Sequence, residues 1–216
     1  ASNIDAASNA TLSDGDAISE WKDLSGAGNN ATQASAANQP VLTGQAIVFD
    51  GSNDYFQTPL MSYDSNEQSI YAVVELEVAG TGWQYILAPQ LDTQYGFGAF
   101  AGKFATFYGN GTTWEGDFYA NSPETSIIGS THLLAGIQDG KDKPFINGYS
   151  QPSIDDAMDI INPNQITTIG AMQYSGVPSQ FWDGQISEIL LFNKDLSEQE
   201  HIKVQYYLSK KWGLES

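Results

Sequence analysis

Hydrophobic runs in this chain are short, and nearly all of them stop at clusters of Gly, Asn, Asp, Pro and Ser. Such punctuation cuts a chain into many short strands, and it predicts an all-β, two-sheet antiparallel sandwich. With no internal repeat, low-complexity tract or linker, residues 1–216 read as a single domain, long enough to bury a proper core. Ile70 to Val78 gives the clearest strand: Ile70, Ala72, Val74, Leu76 and Val78 fall on one face, and Tyr71, Val73, Glu75 and Glu77 on the other.

Further strands are expected at Gln84 to Ala88, Tyr95 to Phe100, Phe104 to Phe107, His132 to Gln138, Lys143 to Ile146, Ile166 to Ile169 and Gln185 to Phe192. Two hairpins suggest themselves. Ala46 to Phe49 and Tyr55 to Thr58 flank the turn-forming run Asp50-Gly51-Ser52-Asn53-Asp54, and Lys143 to Ile146 leads into Asn147-Gly148. The alternating glycines of Tyr95-Gly96-Phe97-Gly98 point to close approach of another backbone or a ligand.

One helix is expected, near the C-terminus. Ser197 and Glu200 form a Ser-x-x-Glu capping box, with Leu196 placed to staple the first turns. Lys210 and Lys211 suit the carbonyl-rich end near Trp212, and Gly213 supplies the stop. A weaker helical turn is expected at Ala6 to Ala10.

Charge narrows the partners. The 26 acidic residues face 8 basic ones, all lysine, for a net charge of -18. That balance argues against nucleic acid and against an anionic membrane surface. It suits a salty or calcium-rich exterior. There is no cysteine, hence no disulfide framework and no thiolate metal site. No apolar run approaches the ~20 residues that span a bilayer, so membrane insertion is not expected.

Two dense signatures sit at the ends of the chain. Trp21-Lys22-Asp23-Leu24-Ser25-Gly26-Ala27-Gly28-Asn29-Asn30-Ala31-Thr32 precedes Ile47-Val48-Phe49-Asp50-Gly51-Ser52-Asn53-Asp54-Tyr55-Phe56. Phe181-Trp182-Asp183-Gly184-Gln185-Ile186-Ser187-Glu188-Ile189-Leu190-Leu191-Phe192-Asn193 precedes the capped helix. Together they resemble the laminin-G-like branch of the concanavalin A-like lectin/glucanase superfamily, as found in large secreted bacterial adhesins. The resemblance implies a jelly-roll sandwich with a short C-terminal helix, chain ends that pair, packing roles for Trp21, Trp182 and Trp212, and a structural role for His132. It also implies an extracellular, cell-surface location beside neighbouring domains of one long chain, consistent with a sequence that shows neither initiator Met nor signal peptide.

An enzyme is not expected. Neither His132 nor His201 has a sequence-adjacent serine and carboxylate set that argues for a triad. Glu75 and Glu77 alternate on one strand, roughly 6.5–7 Å apart at ~3.3 Å per residue, which overlaps the spacing of inverting glycosidases. The Glu-x-Asp-x-x-Glu and Glu-x-Asp-x-Glu patterns of the superfamily's glucanases are nevertheless absent.

Calcium is the expected ion, since it takes six to eight hard oxygens from loops rich in Asp, Asn and Gln. Three such clusters carry the candidates Asp92, Asp139, Asp155 and Asp156, with the Asp50/Asn53/Asp54 turn as runner-up. No contiguous calcium loop is present, so the site must be assembled from separate loops. The resemblance implies a calcium ion at one rim of the sandwich. Aromatics supply the second signal, crowding between residues 95 and 119 among amides and carboxylates. Tyr95, Tyr108, Asn110, Trp114, Glu115, Asp117, Gln138 and Tyr174 are the candidate ligand-binding residues, with Trp114 and Tyr174 expected in loops. The function expected is calcium-dependent adhesion, lectin-like or peptide-binding, to a cell-surface glycan or a protein C-terminus. The alternative is an accessory carbohydrate-binding module of a polysaccharide-degrading enzyme, or that enzyme itself.

Overall fold

The computed structural model describes residues 2–5, 11–62, 67–90, 95–109, 114–119, 126–139, 142–152, 164–174 and 176–214. The expected turn at Ala6 to Ala10 lies outside them. Two large antiparallel sheets form a sandwich. The first runs, in spatial order, β14 (Tyr149–Ser150), β13 (Asp142–Ile146), β12 (Thr131–Asp139), β7 (Glu67–Leu76), β18 (Asp183–Phe192), β5 (Ala46–Asp50) and β4 (Val41–Thr43), with β1 (Ser2–Asp5) also paired to β18. The second runs β11 (Trp114–Tyr119), β10 (Lys103–Gly109), β9 (Tyr95–Phe100), β8 (Trp83–Pro89), β15 (Asn164–Ile169), β6 (Phe56–Ser62), β3 (Ala31–Thr32) and β2 (Glu20–Trp21). A small hairpin, β16 (Met172–Tyr174) with β17 (Val177–Ser179), packs beside β8.

Alternation explains the layers. On β7, Ile70, Ala72, Val74 and Leu76 enter the core between the sheets, where Trp21, Phe49, Phe56 and Trp182 are fully buried. Tyr71 and Val73 face the other way, into a second cluster with Leu133, Leu190, Leu196 and Leu208. That cluster lies under α1 (Glu198–Trp212), so β7 is apolar on both faces. Val78, expected on the same face as Ile70, lies past the strand's end and is 53% exposed.

The helix forms as its caps dictate. Both halves of the Ser197/Glu200 box are made, and Gly213, at φ 67°, closes the other end through its N–H to the Ser209 carbonyl. Lys194 and Ser197 hydrogen-bond the Glu200 carboxylate and hold it down at about 2.

One expected hairpin is not a hairpin. β5 pairs with β4 and β18 in the first sheet, whereas β6 pairs with β3 and β15 in the second. The Asp50–Tyr55 segment is therefore an arch between sheets. Its two flanking aromatics, Phe49 and Phe56, meet across the core with ring centroids 6.0 Å apart in an edge-on contact. The Asn147-Gly148 hairpin does form, with both residues at positive φ (48° and 86°), as a two-residue primed turn requires.

Candidate functional site

The strand register gathers most of the candidate residues at one end of the sandwich. A Cβ placed on Gly136 would sit 3.4 Å from the Phe97 ring and 3.7 Å from the Thr106 methyl, so β12 stacks across the core over β9 and β10. One end of that stack is bridged by Ser126–Ile128: Ile128 pairs with Leu76 and Ser126 with Lys103. β12 runs from there to the opposite end, here called the rim. Gln138 and Asp139 lie at the rim, opposite Gln68 and Glu67 of β7. In the second sheet, Tyr95 is the register partner of Tyr108, Gly109 of Trp114, and Phe107 of Asp117. Glu115 shares β11 with Trp114 and Asp117.

Asp92, Asn110, Asp155 and Asp156 lie outside the described residues; the strands on both sides of Asp92 and of Asn110, and the strand that follows Asp155 and Asp156, have an end at this rim. Gln90 and Tyr95 flank Asp92, Gly109 and Trp114 flank Asn110, and Asn164, paired with Ser62, follows the segment holding Asp155 and Asp156. Two expectations need correction. Trp114 opens strand β11 instead of lying in a loop, because the aromatic run from 114 to 119 adds a further strand to the edge strand β10. Tyr174 ends β16, opposite Val177, on the separate small hairpin, and does not join the others.

Gln68 was not singled out from the sequence, where it reads as one polar position in a polar stretch. It is 1% exposed, and among the described residues neither its amide nitrogen nor its amide oxygen has a hydrogen-bond partner. Its place in the alternation puts it on the same face as Ile70, between the sheets at the rim. Burying an unpaired amide costs on the order of 1–3 kcal/mol.

The Asp50/Asp54 turn has its carboxylates committed to backbone. Asp54 accepts the Asp50 N–H at 3.1 Å, and Asp50 accepts from Ser52 and Asn53 at 2.9 and 3.1 Å. Burial and then the neighbouring Asp50 charge push Asp54 up to about 6. Among the described residues, no three metal-ligating side chains converge.

The structure adds a serine to His132 that the sequence reading did not credit. Ser130 Oγ lies 2.9 Å from Nε2, and Asn147 Nδ2 lies 3.0 Å from Nδ1. The outline resembles a nucleophile, a base and an orienting group, but the protons run the wrong way. The Asn147 oxygen accepts the Leu133 N–H at 2.8 Å, which fixes its NH2 as donor to Nδ1. The imidazole proton then sits on Nε2 and is donated to Ser130, so the ring cannot take the serine's proton. Burial also lowers the His132 pKa, against the charge of Glu75. The Glu75/Glu77 pair does not survive as a strand pair either. β7 ends at Leu76, Glu75 accepts the Thr131 hydroxyl at 3.2 Å, and the Glu77 N–H donates to the Asp183 carbonyl at 2.8 Å.

A laminin-G family model, described as concanavalin A-like lectin/glucanases superfamily, matches residues 50–200. The chain belongs to that superfamily. No curated protein matches it in sequence. Among solved structures, this superfamily member is similar to domain 4 of AbnA, a GH43 extracellular arabinanase from Geobacillus stearothermophilus in complex with arabinotriose. That match has 16% identity and TM-score 0.66, covering 94% of this chain and 97% of that one. It is similar to Trypanosoma rangeli sialidase in complex with the inhibitor DANA at 15% identity and TM-score 0.65, covering 94% of this chain and 32% of the sialidase. It is also similar to the receptor binding domain of botulinum neurotoxin D at 12% identity and TM-score 0.66, covering 87% of this chain and 50% of that one. At these identities the likeness shows a shared fold, and the lectin-like sandwich spans only about a third of the sialidase's length.

Proposed function

We propose that this lectin-like domain is a non-catalytic glycan-binding module that works outside the cell, within a larger adhesive or polysaccharide-degrading protein. The observation that carries this reading is the rim. Strand register brings Tyr95, Tyr108 and Trp114 to the same end of the sandwich as Gln138 and Asp139, from positions far apart in sequence. Aromatic faces for sugar rings beside carboxylate and amide acceptors for hydroxyls are the make-up of a saccharide site. The amide of Gln68 beneath it is a buried polar group that an ordered water can satisfy.

Calcium belongs to this proposal as a rim ion held by Asp92, Asp139, Asp155 and Asp156. On a chain of net charge -18, such an ion would invert the local charge toward an acidic glycan or a terminal carboxylate. The proton arrangement at Ser130, His132 and Asn147 favours binding over hydrolysis. A glycan array run in calcium and again in EDTA tests the reading, with Trp114→Ala and Tyr108→Ala beside the wild type. Binding to a defined glycan that falls at least tenfold in both variants supports it. Equal binding in the variants, or no glycan bound in either condition, sinks it.

A further inference from the structure

A groove of about 540 Å3 runs between α1 and the β12–β13 pair, on the outer face of the first sheet. That volume lies within the range of small-ligand sites. We propose that this groove is a second binding site, distinct from the rim, and that it takes one neutral sugar residue.

Its floor is pre-organised. The His201 ring lies 4.2 Å from the Phe145 ring, its Nδ1 meets the Tyr71 hydroxyl at 2.6 Å, and its Nε2 meets the Gln205 amide. The entry to α1 is pinned as well, by the Leu196 N–H donating to Ser69 Oγ at 3.0 Å and Ser69 donating to the Lys194 carbonyl at 3.1 Å. A ligand here would have little ordering of the protein to overcome.

The lining selects the ligand's chemistry. Lys143 brings a cation, Asp195 and Glu198 bring carboxylates, and Gln205 can donate or accept. An anionic ligand would meet the two carboxylates, and an ammonium ligand would meet the lysine. Hydroxyls both donate and accept, so an uncharged polyol can lie against a lining of both signs without bringing a charge that either sign repels. Phe145 and Ile202 add apolar surface for the C–H face of a sugar ring. Ile202 is 57% exposed on the groove wall, where packing of the fold gives it no role. His201 stays neutral in this setting, because burial lowers its pKa to about 4.

The test uses the whole chain, 15N-labelled, titrated with the methyl glycosides of galactose, glucose, mannose, N-acetylglucosamine and arabinose, and with glucuronate as the anionic control. At least one neutral glycoside should shift the backbone amides of Phe145, Glu198, Ile202 and Gln205, without calcium. Ile202→Arg, at an exposed position, should weaken that effect at least tenfold with unchanged melting, and Lys143→Met should weaken it too. Trp114→Ala should leave it intact. The proposal is overturned if none of the neutral probes shifts those amides, if glucuronate alone does, or if Ile202→Arg binds as well as wild type. Loss of the groove shifts in Trp114→Ala would show a single shared site and also overturn it. Failure of the rim reading looks different: no glycan perturbs residues 95–119 while the groove amides still respond.

Discussion

The fully buried carboxylate of Glu188 accepts the indole N–H of Trp212 at 2.6 Å, tying the last turn of α1 to the middle of β18. A bulge makes this possible. β18 slips register between Ile186 and Glu188, so Ile186, Ile189 and Leu191 enter the core while Glu188 and Leu190 turn toward the helix. Lys211 completes the arrangement at 3.2 Å. Trp212→Phe keeps an aromatic ring but removes the donor and part of the indole's packing, and it should cost at least about 1.5–3 kcal/mol, the value of a hydrogen bond to a charged group. Chemical denaturation of the two proteins measures it. A change below about 0.5 kcal/mol, the usual size for an unimportant surface site, would contradict this account.

Gln68→Met should move stability the other way. Replacing a buried amide that has no partner with an apolar side chain of similar length should raise stability by about 1–3 kcal/mol. A variant less stable than wild type would show that Gln68 is satisfied in solution.

Gly98→Ala tests the glycine spacing on β9. A Cβ there would collide with the Gln84 carbonyl oxygen and the Tyr85 Cα of the paired strand β8. The strands would have to part, at a cost of about 1–3 kcal/mol or more, read as a lower melting temperature.

Much of this was legible beforehand because it is local. The capping box, the Asn147-Gly148 turn and the strand alternation each reside in a few consecutive residues. What was hidden is what a strand pairs with. A period of two tells which face Phe49 and Phe56 use, but not that their strands join different sheets, since that choice is made by their contact across the core. The His132 tautomer was equally hidden, because it depends on Asn147 reaching the Leu133 N–H. At the site, sequence supplied residue types, while the shared rim came only from register. Gln68 left no signal at all, as burial of one glutamine cannot be read from its neighbours in the chain.

Asp54 and His201 give opposite pH dependences. Asp54 is raised from 3.8 to about 6, so the folded state gains relative stability as pH falls from about 6 toward 4. Asp54→Asn should therefore stabilise at pH 8 by roughly 1–3 kcal/mol, and the gain should shrink below pH 6 and be gone below about pH 4. A constant gain across that range would refute the assignment.

His201 is lowered from 6.5 to about 4, so its contribution is complete above pH 6.5 and is lost as pH falls toward 4. Only two histidines are present, so an NMR titration resolves both. His201 should titrate near 4 and His132 below 6.5. A His201 midpoint above 6 would show that the ring is not sealed between Phe145 and Tyr71.

The pairing of β1 with β18 sets how the fold carries load. Ser2 lies opposite Leu191 and Asp5 opposite Glu188, so the strands run in opposite directions with Ser2 beside the exit of β18. Tension drawn from Ser2 and from beyond Leu191 would meet the rungs of this ladder one after another instead of all at once. β1 would peel from β18 like a zipper at low force, before the ladders that join β18 to β7 and β5 gave way.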